Sequence, residues 1–117
     1  MVEDWQGLIS NMNGAVRDLR QASPDVMRTF SEMARAAHAG SSLDGKTKEL
    51  IALGIAQITQ CAWCIDAHTK KAAMAGASDA EIAETTFVAM AMAAGAAWSH
   101  GGLALQSLQE HNDSHKA

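Results

Sequence analysis

The sequence of 117 residues contains no tyrosine, one proline, two cysteines and two phenylalanines. Proline interrupts helices, and because Pro24 is the only one, most of the chain is free to form helix. A lone cysteine pair in a cytosolic chain is more often catalytic or metal-binding than a structural link. A chain of this length fits a single domain with a modest core.

The sequence also has no basic cluster and no long apolar run. Lysine and arginine total 9 and are spread along the chain, against 13 aspartates and glutamates, which gives a formal net charge of −4. We therefore expect no nucleic-acid partner. No apolar run reaches the roughly 18 residues of a membrane span, so we expect no membrane partner. The acidic start Met1–Asp4 does not resemble a secretory signal, and we predict a cytoplasmic protein.

What the chain does have is alanine, methionine and apolar residues at helical spacing, with hydrophobic residues making up 48% of the total. These features predict an all-α fold, a compact orthogonal domain of about six helices. The single domain is expected to occupy residues 1–117, with a polar tail at 111–117. The predicted helices cover residues 3–21, 24–39, 46–59, 61–75, 78–94 and about 98–108, with Gly95 as an interruption between the last two.

Local signals mark several helix ends. Ser23 precedes Pro24 as an N-cap before a first-turn proline, and Asp44 is the expected cap of the third helix. Ser78 and Glu81 have the spacing of a capping box. The third helix is apolar on more than one side and should be central. The second helix is expected to turn one apolar face inward: Val26, Met27, Phe30, Met33, Ala34 and Ala37.

The strongest chemical signal is the segment from Cys61 to His68, which holds both cysteines of the chain. Positions three and four apart share a helix face, so Cys61, Cys64 and His68 should form one stripe. Two neighbouring thiols can cycle between dithiol and disulfide, and an imidazole can activate one of them. Glu49 on the preceding helix is a candidate to orient that imidazole.

The residues leave open which cysteine attacks, because a helix N-terminus favours a thiolate at Cys61 whereas proximity to His68 favours Cys64. They also leave two other interpretations open. The pair could be two buried small apolar residues. Alternatively, Cys61, Cys64, His68 and Glu49 could bind zinc, although no second CxxC or HxxxH pair completes a usual structural site.

The chain has Glu49, then eleven residues, and then Cys61-x-x-Cys64-x-x-x-His68. This pattern resembles the core motif of the alkylhydroperoxidase D-like, or carboxymuconolactone decarboxylase, superfamily. The likeness extends over residues 46–105 and includes the segment Ala75–Ser78. The N-terminal third matches only in its helical character.

The resemblance implies an all-α fold, homo-oligomers that are often trimers or hexamers, and thiol-dependent peroxidase activity. By position, Cys64 looks like the peroxidatic thiol and Cys61 like its resolving partner. His68 and Glu49 look like parts of a proton relay. In the best-studied type of member a second histidine stands immediately before the second cysteine, where this chain has Trp63, and this departure removes one relay group.

We therefore predict a peroxiredoxin-type oxidoreductase that reduces a peroxide and is regenerated by an external thiol. The resemblance implies that this reductant can be a lipoyl-type dithiol. No bound cofactor or metal is expected. The alternatives are a carboxymuconolactone decarboxylase-type lyase, whose chemistry needs no redox thiol pair, and a non-enzymatic redox-sensing or zinc-binding module. Asp66 is expected to be exposed or to be a local charge near the helix start. His100 either lines the site or is a packed or exposed histidine, and His38 carries no signal.

Overall fold

The computed structural model describes residues 4–116, which form five α-helices and no strand. The helices are α1 (Trp5–Ala22), α2 (Pro24–Ala39), α3 (Gly45–Ile58), α4 (Ala62–Met74) and α5 (Asp79–Ser114). The all-α class predicted from the sequence is confirmed. The number of helices is five rather than about six.

The difference lies in α5, which runs without interruption for 36 residues. Gly95, expected to interrupt it, lies within the helix, and the predicted polar tail is helical as far as Ser114. A single glycine in a helix costs roughly 1 kcal/mol relative to alanine, and the flanking alanines are the strongest helix formers. The local cost is therefore too small to end the helix.

Most of the predicted caps are present. The Asp44 carboxylate accepts a hydrogen bond from the Thr47 N–H, and Ser78 and Glu81 form the reciprocal capping box. Ser23 occupies the N-cap position before Pro24, but its side chain makes no capping hydrogen bond. Asp4 caps α1 by accepting from the Gly7 N–H.

Helix α3 is central, as predicted, because it packs against both α4 and α5. Leu53 and Ala56 on α3 are buried, as are Ile9 on α1 and Ala72 on α4. The side chain of Gln57 links α3 to α5 by donating a 2.9 Å hydrogen bond to Thr86. This small core holds α3 and α4 side by side, which is the pairing that forms the site.

The expected compactness is not observed. The radius of gyration of the described chain is 19.8 Å, whereas a compact domain of this length has about 13 Å. Helix α2 contributes no buried residue, so the face predicted to turn inward is largely solvent-exposed in the single chain. The outer part of α5 is exposed as well, including Trp98 and Leu105.

Helix α5 is also long and apolar enough to cross a membrane, judged by length and composition alone. This differs from the sequence-based expectation, which considered only unbroken apolar runs. Its first turns pack against α3, while the remaining length extends away from the other helices. Apolar side chains along this length, such as Trp98 and Leu105, are therefore exposed in the single chain.

Candidate active site

The two cysteines lie at the junction between α3 and α4 and form a disulfide, with their Cα atoms 5.2 Å apart. The junction is tight because Gln60 adopts a left-handed conformation with φ 58°. The Cys61 N–H donates to the Ala56 carbonyl at 3.0 Å, which closes the end of α3. The chain then enters α4 with Cys61 as the N-cap residue.

Cys61 also caps α4 through its sulfur. The Cys64 N–H donates a hydrogen bond to Cys61 Sγ, with a nitrogen-to-sulfur distance of 3.2 Å. Unpaired N–H groups and the helix dipole make an N-terminus favourable for negative charge on sulfur. A thiolate at Cys61 is therefore favoured both by the helix N-terminus and by the hydrogen bond from the Cys64 N–H.

His68 lies one turn after Cys64 on α4 and contacts Glu49 on α3. Its Nδ1 is 2.7 Å from Glu49 Oε2, and the side chains of His68 and Glu49 are 21% and 16% exposed. Because a carboxylate accepts hydrogen bonds, Nδ1 is the protonated nitrogen, and Nε2 is free to accept a proton. The contact predicted from the sequence is present, while the relay roles of the two residues stay predictions.

The histidine that sequence reasoning missed is His38. Its ring stacks on that of His68 with centroids 6.1 Å apart and planes 8° from parallel. His38 lies in the last turn of α2, and a short loop connects this helix to α3. Nothing in the local sequence around His38 signals this placement, since it depends on how α2 lies relative to α4.

Two indole groups join α1 to the motif helix α4. Trp5 Nε1 donates to Asp66 Oδ1 at 2.9 Å, and Trp63 Nε1 donates to Asn13 Oδ1 at 2.6 Å. Asp66 was expected to be exposed or to be a local charge near the helix start. Its side chain is 12% exposed, accepts from Trp5 and pairs with Lys70 at 2.8 Å. Trp63, at the position of the missing second histidine, links α4 to α1.

The environment of Asp66 favours its charged form. The Lys70 ammonium, and to a lesser degree the Trp5 indole, hold the pKa of the Asp66 carboxyl below its usual value. In the first turn of α3, the Glu81 carboxylate raises the pKa of Lys46 across a 2.8 Å ion pair. Both pairs therefore join neighbouring turns or helices as charges at neutral pH.

His100 does not join the site within one chain. It is exposed on α5, and its Nδ1 hydrogen-bonds to the Ala96 carbonyl of its own helix at 3.2 Å. The zinc site considered from the sequence needs both cysteines as thiolates. In this structure the sulfurs of Cys61 and Cys64 are bonded to each other, so they offer no thiolate to a metal.

These elements define an all-helical protein with a disulfide at a helix N-terminus and a histidine–carboxylate pair one turn away. The profile of the carboxymuconolactone decarboxylase family matches residues 24–106, and the chain belongs to this family. The match begins at α2, earlier than the resemblance recognised from residue 46 onward.

Known proteins support this assignment. The chain is similar to the crystal structure of an apo carboxymuconolactone decarboxylase family protein from Legionella pneumophila, with a TM-score of 0.71 and 30% identity, covering 93% of this chain and 97% of the other. It is 38% identical over 98 residues to uncharacterized protein 4 in the cox locus of Paracoccus denitrificans, covering 84% of this chain and 88% of that protein. An uncharacterized protein from Haemophilus influenzae is 38% identical over 62% of this chain and 64% of its own length.

Proposed function

We propose that this protein is a thiol-dependent peroxidase that cycles Cys61 and Cys64 between dithiol and disulfide. The observation that carries the proposal is the disulfide at the start of α4, one turn from the hydrogen-bonded pair of His68 and Glu49. Membership of a family that includes peroxidases and decarboxylases is compatible with this activity. The reaction has three steps, each of which uses a group at this site.

In the first step the Cys64 thiolate attacks the peroxide. Cys64 and His68 are four residues apart on α4, so they share a helix face. His68 takes the thiol proton on Nε2, and the Glu49 carboxylate stabilises the resulting imidazolium through Nδ1–H. Sulfur attacks the terminal oxygen, the O–O bond breaks, and the imidazolium returns the proton to the departing alkoxide. The products are the Cys64 sulfenic acid and an alcohol.

In the second step Cys61 resolves the sulfenic acid. The hydrogen bond from the Cys64 N–H and the N-terminus of α4 favour the Cys61 thiolate, which is the form that attacks. A sulfur–sulfur bond forms, the S–O bond of Cys64 breaks, and hydroxide leaves as water after taking the proton released by Cys61. The pair is then the disulfide described above.

In the third step an external dithiol restores the pair. One external thiolate attacks the disulfide, the mixed disulfide is displaced by the second external thiol, and both protein thiols are released in reduced form. Two electrons and two protons pass from the external dithiol to the protein. A lipoyl-type dithiol suits this step because both of its thiols belong to one molecule.

The proposal is tested by peroxide consumption with dihydrolipoamide as reductant and a chelator present. Wild type should turn over, whereas Cys64→Ser and Cys61→Ser should each lose the catalytic cycle, and Cys61→Ser should accumulate a sulfenic acid that dimedone traps. His100→Ala, an exposed histidine outside the site, should retain the wild-type rate. Equal rates for wild type and both cysteine variants would overturn the proposal. If wild type and both cysteine variants instead decarboxylate a lactone acid when no peroxide is present, the protein is a lyase.

A sensor differs from a peroxidase in turnover. If one equivalent of peroxide forms the disulfide and no dithiol reductant sustains further consumption, the pair acts as a redox sensor. We expect many turnovers, because the relay supplies the proton on which departure of the alkoxide depends.

We further propose that the working form is a homo-oligomer, a trimer or hexamer, in the cytoplasm. The single chain exposes 8924 Å² of surface, against about 6,100 Å² for a compact monomer of this mass. The excess of about 2,800 Å² is in the range that obligate interfaces bury. An open cleft of about 630 Å³ between α3 and α5 is lined mainly by apolar side chains, including Ile51, Ile55 and Met92. A second copy of the chain is the partner that this surface favours.

A further inference from the structure

Three potential metal ligands from three different helices meet beside the disulfide. His38 of α2, Glu49 of α3 and His68 of α4 each offer a ligand atom within 4.8 Å of the others. Donors bound to one zinc ion at about 2.0–2.1 Å lie roughly 3.3 Å apart, so this cluster is somewhat open. His38 is exposed, and its side chain can therefore close the remaining distance without displacing core residues.

Each imidazole offers one nitrogen to the cluster. His38 Nδ1 lies 2.9 Å from the Ala34 carbonyl, which only accepts hydrogen bonds, so Nδ1 carries the proton and the lone pair of Nε2 is available. Histidines that bind metal ions usually donate their second N–H to a backbone carbonyl or a carboxylate in this way. On His68 the nitrogen beside Glu49 is Nδ1, at 2.7 Å from Oε2, and a cation bound by both residues would replace the proton between these two atoms.

The position of His38 is also fixed through its backbone. Lys48 on α3 donates hydrogen bonds from Nζ to the carbonyls of His38 and Gly40, which ties the end of α2 to the first turns of α3. The Lys48 ammonium is thereby held on carbonyl oxygens. Glu49, the next residue on α3, is the carboxylate of the cluster.

We propose that His38, Glu49 and His68 bind a divalent transition-metal cation such as Zn²⁺ while the cysteines form their disulfide. The donor set is two imidazoles and one carboxylate, which leaves coordination positions open for water. The site uses no thiolate, so it differs from the zinc site of Cys61, Cys64, His68 and Glu49 considered from the sequence. It goes beyond the proposed peroxidase activity and shares two of that activity's residues.

This arrangement has a functional consequence. A cation that stays bound to His68 Nδ1 and Glu49 after the disulfide is reduced would replace the N–H···carboxylate contact that stabilises the imidazolium in the first step. Bound metal should therefore inhibit the first step of the peroxidase reaction in proportion to its occupancy.

The test is isothermal titration of the disulfide form with Zn²⁺. Oxidised protein is used because free thiols would bind zinc themselves. His111 in the last turn of α5 and His115 at its C-cap have ring centroids 4.2 Å apart, and two imidazoles so close together can bind zinc by themselves. The titrations are therefore made in a background carrying His111→Ala and His115→Ala. We expect one zinc ion per chain in this background.

His38→Ala tests the new ligand, and His100→Ala is its matched control. Both histidines are exposed and hydrogen-bond through Nδ1 to the carbonyl four residues earlier, but only His38 has ligand partners. We expect His38→Ala to weaken zinc binding at least tenfold and His100→Ala to leave it unchanged. Substitution of Co²⁺ should give a visible spectrum without thiolate charge-transfer bands.

Absence of zinc binding by the oxidised protein, or equal affinity in His38→Ala and wild type, would overturn the proposal. Circular dichroism of each variant establishes that it is folded. The peroxidase proposal is tested independently of the metal site, because its assay contains a chelator and its outcome depends on the cysteines. In the chelated assay His38→Ala should keep the wild-type rate. In the same assay without chelator, added zinc should inhibit His38→Ala less than it inhibits wild type.

Discussion

The indole nitrogen of Trp5 lies 2.9 Å from the carboxylate of Asp66, joining the first turn of α1 to the middle of the motif helix across 61 residues of sequence. Asp66 also pairs with Lys70, so its charge is held by two donors. Together with the hydrogen bond between Trp63 and Asn13, this contact places α1 along one side of α4. The Asp66 carboxylate is therefore one of the groups that hold α1 against α4.

We predict that the protein loses stability at acidic pH partly through Asp66. The pKa of Asp66 is lowered by Lys70 and Trp5 in the folded chain, so its stabilising contribution is present above the ordinary aspartate pKa of about 4. This contribution is lost as the pH falls through the lower, folded-state pKa. Urea unfolding followed by tryptophan fluorescence at several pH values measures the effect. Asp66→Asn should flatten the loss between pH 5 and the acid limit of the folded state.

Lys70→Ala should reduce the same pH dependence, whereas Lys71→Ala should not, because Lys71 is an exposed neighbour and the ion pair of Asp66 is with Lys70. Identical acid profiles for wild type, Asp66→Asn and Lys70→Ala would contradict the prediction.

Glu49→Gln should lower the rate of peroxide reduction by about two orders of magnitude, the range typical of general acid–base catalysis. Glutamine can still accept the His68 Nδ1–H but carries no charge to stabilise an imidazolium. The measurement is kcat/KM for peroxide as a function of pH in the presence of a chelator. Glu32→Gln on the exposed surface of α2 is the control and should leave the profile unchanged. A normal rate and pH profile for Glu49→Gln would exclude the relay.

Leu105→Glu should dissociate the oligomer, because Leu105 is 71% exposed in the single chain and lies on the outer part of α5. Gln106→Glu adds the same charge one position along and should have a smaller effect if Gln106 lies away from the contact. Sedimentation equilibrium without detergent gives the mass of each form. A wild-type monomer, or protein that remains in solution only with detergent, would contradict a self-association interface and favour a membrane for α5.

Gly76→Ala should destabilise the protein by roughly 1–2 kcal/mol. Gly76 has a φ of 89°, and the N–H groups of Gly76 and Ala77 close the end of α4 by donating to the carbonyls of Ala73 and Ala72. Gly40→Ala is the matched control, since Gly40 has a φ of −63° and open space around it. Urea unfolding should show a clear loss for Gly76→Ala alone, and equal stability of the two variants would refute the argument.

Helix starts could be predicted from the sequence because they depend on near neighbours. Asp44 and the Ser78–Glu81 box are satisfied by atoms within three residues, and both occur as expected. The contact of Glu49 with His68 was also predicted, since an antiparallel helix pair brings those positions together. Short sequence separation limits the number of arrangements that a pattern has to choose among.

Features set by other parts of the molecule were harder to predict. Gly95 suggested a break, but the free-energy cost of one glycine is too small to end a helix of 36 residues. The apolar face of α2 was recognised, while its exposure was not, because periodicity indicates that a face needs a partner without saying which chain supplies it. His38 reaches His68 only through the packing of α2, and no local signal encodes that contact.

Cys61 ends one helix with its peptide nitrogen and begins the next with its sulfur. Neither of these two bonds uses the link between the cysteines. In the proposed redox cycle, opening that link would therefore leave the end of α3 and the start of α4 closed by their own hydrogen bonds, so that the exchange of electrons would need no unfolding of this junction.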